Sequence, residues 1–124
     1  MTDVSVLSAD VMVNEVALTR AVTAMALAVA TADFRIATAG RGLQVAEGAN
    51  AKMGTATLAA GTATVSTTAV TANSRIFLTI QSLGTVATAK AIAVTARSAA
   101  TSFTITSADN TDTSVIAWML VEPA

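Results

Sequence analysis

The chain has 124 residues, 53% of them apolar, with seven basic and eight acidic side chains giving a net charge of −1, and it contains neither Cys nor His. Those absences exclude disulfides, thiolate and imidazole metal sites, and the side chain most used for proton transfer near neutral pH. The length fits one domain, and one this small buries somewhat under ~70% of the surface its unfolded chain exposes.

Alanine supplies 29 residues and threonine 21, against only four Phe or Trp. The core must therefore come from Val, Ile, Leu and Met, and it will be thin. Thin cores in small domains often borrow buried area from neighbouring subunits. No Lys/Arg cluster and no aromatic platform is present, so nucleic acid is not an expected partner.

Residues 1–32 form an apolar arm. Val11, Leu18, Val22, Met25 and Val29 follow one another at helical or heptad steps, with helix-favouring Ala in the gaps. Residue 15, which a heptad would also want apolar, is Glu15. Met25, Leu27 and Val29 equally alternate with Ala26, Ala28 and Ala30, so a strand stays open beside the preferred helix. In either form these side chains need a cover, and Val11, Leu18, Val22, Met25 and Val29 are the candidate assembly interface. The uncharged stretch between Arg20 and Asp33 is too short for a bilayer, which needs about 20 apolar residues. Met1-Thr2-Asp3-Val4 has no basic segment of the kind that opens a signal peptide. No membrane partner is expected, and synthesis in a cytoplasm is.

From Asp33 onward the pattern is all-β. Candidate strands are 43–47, 54–58, 62–66, 75–81, 90–97, a run around Phe103 and Ile105, and 115–121. Ile76, Leu78 and Ile80 share one face of their strand, while the unbroken run Val115-Ile116-Ala117-Trp118-Met119-Leu120-Val121 suits a strand buried on both faces. Turn signals separate the runs: Gly40-Arg41-Gly42, Glu47-Gly48-Ala49-Asn50, Ala60-Gly61, Ala72-Asn73-Ser74, Leu83-Gly84 and Asp109-Asn110-Thr111-Asp112. Strands at this spacing predict an antiparallel sandwich, jelly roll or small β-barrel over 33–124.

Candidate chemistry is sparse. Lys52 and Lys90 are the only lysines, and neither stands in a Ser-x-x-Lys pattern that could replace a histidine base. Asp109 and Asp112 are close enough in sequence to suggest a carboxylate pair, yet Asp and Asn in such loops usually bond their own backbone. A calcium loop would want a Gly and a terminal Glu that this loop lacks. Gly40-Arg41-Gly42 opens like a phosphate loop without the later Gly and Lys, which makes a turn the better reading. Trp118 is read as a core tryptophan with its N–H satisfied rather than as a ligand platform. These residues predict no enzyme, no cofactor, no metal and no small-molecule substrate.

The order of short words from Gly40 onward adds a resemblance. Gly40-Arg41-Gly42-Leu43-Gln44-Val45-Ala46-Glu47-Gly48 is followed by Val70-Thr71-Ala72-Asn73-Ser74-Arg75-Ile76-Phe77, then by Thr101-Ser102-Phe103-Thr104-Ile105-Thr106-Ser107, then by Asp112-Thr113-Ser114 and Ala117-Trp118. This resembles the β-domain of bacteriophage capsid cement or decoration proteins, head fibres and some tail-associated proteins. The resemblance implies a homotrimer bound to the major capsid protein on the outside of the virion, with the arm as anchor and no catalytic residue. The reading preferred on the sequence is a capsid cement protein. The alternative is a head- or tail-fibre receptor-binding module, against which stand the lack of any Tyr and the sparse aromatic content.

Overall fold

In the computed structural model the described residues are 33–124, and they fall into two compact units that divide after Gly42. The arm and its five candidate residues, Val11, Leu18, Val22, Met25 and Val29, lie outside the described residues. In the first unit, Gly40 at φ +82° lets the chain turn, and the Arg41 N–H donates to the Thr38 carbonyl at 3.1 Å. That is the turn expected of the Gly-Arg-Gly sequence.

The second unit, Leu43–Ala124, contains six strands: β1 (Met53–Thr57), β2 (Thr62–Ser66), β3 (Arg75–Ser82), β4 (Ile92–Ser98), β5 (Ser102–Ser107) and β6 (Val115–Val121). They form two antiparallel three-stranded sheets, sheet A in the order β1-β6-β3 and sheet B in the order β2-β5-β4. Only β4 and β5 are joined within a sheet; every other connection passes from one sheet to the other. The fold is all-β, as the alternation predicts. The strand expected at 43–47 does not form: those residues pair with no neighbour and are exposed apart from a half-buried Val45. Alternation alone cannot make a strand when no sheet edge receives its hydrogen bonds.

Period-two burial explains the packing. In β5 the side chains of Phe103, Ile105 and Ser107 are buried while Ser102, Thr104 and Thr106 between them are only half-buried. In β6, Ile116, Trp118 and Leu120 are buried. These two central strands bring their inward residues together, with Leu58 and Val70 completing the core and Ile76, Leu78, Ile80, Ile92 and Val94 packed around it. Phe103 and Trp118 meet edge to face at 5.3 Å and 77°, which joins the two sheets by a favoured aromatic geometry. The expectation that β6 is buried on both faces needs correction. Val115, Ala117 and Met119 are half-buried, because flanking side chains shelter them and no further layer of the second unit lies over them.

Gly54 and Gly61 are two of the positions that require glycine. A Cβ on Gly54, which faces Trp118 in the β1–β6 ladder, would stand 2.8 Å from the indole Cζ2. Gly61, with Ala60, forms a two-residue turn in which both φ angles are positive (+78° and +51°), the arrangement of a type I′ hairpin. The turn is closed by reciprocal bonds between Ala59 and Thr62, and a Cβ on Gly61 would collide with the Asp109 carbonyl.

Candidate functional site

The loops at one end of the sandwich gather the carboxylates singled out in the sequence. Asp112 is completely buried, and its Oδ1 accepts hydrogen bonds from the Ser114 hydroxyl (2.6 Å) and N–H (2.9 Å) while Oδ2 accepts one from the Ser107 hydroxyl (2.7 Å). The two hydroxyl donors, Ser114 before Ser107, hold its carboxyl below the usual aspartate range against the opposing effect of burial. Asp109 accepts from the hydroxyl and N–H of Thr111, which lower its pKa in the same way, and lies 3.8 Å from the Lys90 ammonium. Both carboxylates are thus engaged in fixing the β5–β6 turn. Among the described residues no three acidic groups converge as a metal site would need.

At the opposite end, the Glu122 carboxylate accepts hydrogen bonds from Ser74 and Thr71 hydroxyls and lies 3.7 Å from the Lys52 ammonium. Its pKa is lowered first by Ser74, then by Thr71, with burial opposing. Arg97 Nη1 donates to the carbonyls of Ser74 (2.7 Å) and Ala72 (3.2 Å). The β-bulge between Val94 and Ala96 makes this possible, since it changes the register of β4 so that Arg97 stands opposite the core residue Phe103. Lys52 and Lys90, the two candidates for a base, both sit beside carboxylates.

The surface with the shape of a binding site lies elsewhere, on the outer face of sheet A. There a groove of ≈ 290 Å³ runs across all three strands, bounded by Met53, Thr55, Phe77, Thr79, Gln81, Ala117 and Met119, with Glu47 at its margin. Period two dictates this face, because each of these strand residues alternates with one turned into the core. Phe77 is 57% exposed, an unusual position for the largest side chain of β3. The sequence pattern contains the signal, since Phe77 interrupts the polar set Arg75, Thr79 and Gln81. Reading the outward side of β6 as buried hid its significance. Trp118 is in the core, 6% exposed, as expected; its indole N–H is buried and meets no acceptor among the described residues, contrary to expectation.

A search among curated proteins finds no match. Residues 50–121 match the family profile of the K1 capsule-specific polysaccharide lyase C-terminal domain. The matched span begins just before β1 and ends with β6, so it takes in the whole of both sheets. Because it covers more than half of the sequence and all six strands, the chain belongs to the family of the K1 capsule-specific polysaccharide lyase C-terminal domain.

Proposed function

We propose that this chain is a non-catalytic structural module of a phage particle, of the tail-fibre or tailspike kind, and that it works as a homotrimer. The observation that carries this reading is the family match across the entire sandwich. The family takes its name from the C-terminal domain of a capsule-specific polysaccharide lyase, an enzyme directed at a capsule. That setting favours the fibre alternative over the capsid cement reading preferred on the sequence. The resemblance of the motif order to phage β-domains supports a virion location in either case. The buried and turn-bound carboxylates support a structural role, since each is engaged in holding a loop.

The test is immunogold electron microscopy of intact particles with antibody against this chain. Label at the tail or on fibres is the expected result. Label spread over the head would restore the cement reading, and particles without label would remove the virion role.

A further inference from the structure

Met53, Phe77, Ala117 and Met119 dominate the exposed lining of the groove on the outer face of sheet A, with Thr55, Thr79 and Gln81 as its polar side chains. From this geometry we infer that the face is the contact through which copies of this chain associate. The inference deepens the homotrimer reading above by naming its surface, and it depends on that reading for stoichiometry alone.

Three observations bear on what occupies the face. The first is charge. Among the described residues Glu47 is the one charged side chain bordering the groove, and Arg75, the one cation on the outward positions of the three strands, stands a row beyond Phe77 outside it. The face therefore carries both halves of an ion pair, and a second copy can bring its own Arg75 to the Glu47 of the first. An anionic partner would meet Glu47 unfavourably. The second is area. Three strands of five to eight residues give a flat face of roughly 300 Å², from the usual strand rise and spacing. A stable pair needs about 800 Å² per partner. One face against one face falls short of that, so the contact must reach past the strands onto flanking residues such as Leu83, which is 46% exposed. The third is contrast with sheet B, whose outward residues include Thr62, Thr64, Thr95, Thr104 and Thr106 bonded hydroxyl to hydroxyl, so its surface has no comparable apolar face to cover.

The experiment uses the full chain in two parallel forms. Since the sequence contains no cysteine, single cysteines report position without background. Thr79→Cys, on the groove, should cross-link between chains under mild oxidation or with a short bis-maleimide, and Thr104→Cys on sheet B should not. In sedimentation velocity, Phe77→Asp should shift the oligomer to monomer while the circular dichroism spectrum stays unchanged; Met119→Lys is the second variant should Phe77→Asp fail to fold. A wild-type chain that is monomeric at about 100 μM, cross-linking at Thr104 but not Thr79, or an oligomer indifferent to both substitutions would overturn the inference. A monomeric wild type would overturn the homotrimer as well, whereas the cross-linking and substitution outcomes bear on this face alone, and the labelling experiment tests the place in the particle separately.

Discussion

The two sheets are alike inside and unlike outside. Inward, each central strand contributes an alternating apolar series, Phe103 and Ile105 from β5 and Ile116, Trp118 and Leu120 from β6. Outward, sheet B displays threonines whose hydroxyls bond across the strands, Thr64 to Thr104 at 3.2 Å and Thr95 to Thr106 at 2.7 Å, whereas sheet A displays Met53, Phe77, Ala117 and Met119. Threonine keeps the β-branched fit to a pleated surface and satisfies its own polar group locally. An apolar outer face has no such self-sufficiency. The difference teaches that β-propensity was met in both sheets, and that something beyond the fold decided the outward chemistry of sheet A.

The strongest way to break the comparison is to remove what the sheets share. Trp118→Ala should cost roughly 3–5 kcal/mol, as large aromatic truncations in cores do. Phe103→Ala should cost a similar amount, and the double mutant should reveal a coupling of about 0.5–1.5 kcal/mol from the edge-to-face pair, read by urea denaturation. Were the coupling absent, the sheets would be held by area alone. Next in size is Gly54→Ala. The new methyl would press on the indole, a rigid ring that cannot fold away, and overpacking of this kind costs about 1–3 kcal/mol. A variant as stable as the parent would mean that β1 shifts easily against β6, and sheet A would then be the looser of the two.

Acid provides a third probe, at the loops that tie the sheets together. Asp112, Asp109 and Glu122 all have lowered pKa values in the folded protein. The unfolded chain therefore takes up protons first as pH falls. The stability these groups contribute is complete above the unfolded carboxylate values of about 4, and is lost as pH drops through the lower folded values. Thermal melts should be flat from pH 7 to about 5 and decline below about 4. Asp112→Asn should lower the melting temperature at pH 7 and flatten the decline, because an amide does not titrate there. A decline that kept its full size in this variant would assign it to Asp109 and Glu122.

The smallest effect on folding is expected from exchanging the outer faces. Met119→Thr, which gives sheet A a residue of the sheet B kind, should change stability by about 0.5 kcal/mol or less when the chain is monomeric. Its consequence should appear in self-association instead. A large loss of monomer stability would show that the outer face of sheet A supports the fold itself.

Much of this architecture is legible in the sequence. The ranges for β2 and β6 follow from alternation and from the unbroken apolar run, and β1, β3 and β4 are displaced by only a residue or two from the expected spans. Turn chemistry located Ala60-Gly61 and the Asp109–Asp112 loop. The strand order was not legible, because β6 pairs with β1 across some sixty residues and no local signal encodes that choice. Leu43, Gln44 and Val45 look like strand residues for the same local reasons as Ala63, Thr64 and Val65, and only the second set finds a neighbour. The groove was partly visible in Phe77, an aromatic on the polar side of its strand. Its extent required knowing that β1 and β3 flank the outward side of β6.

The central place of β6 in sheet A has a consequence for biosynthesis. β1 and β3 do not touch each other's hydrogen-bonding edges; both wait for Val115–Val121. While the ribosome is still adding residues before that segment, two of the three strands of this sheet have been made and neither has its native ladder. Sheet B is different, because its β4–β5 hairpin can close as soon as Ser107 has emerged. Assembly is therefore expected to run in one direction, from a preformed sheet B platform to late capture of β1 and β3 by β6. The nascent chain must pass through a stage at which its most hydrophobic strand is the last to arrive.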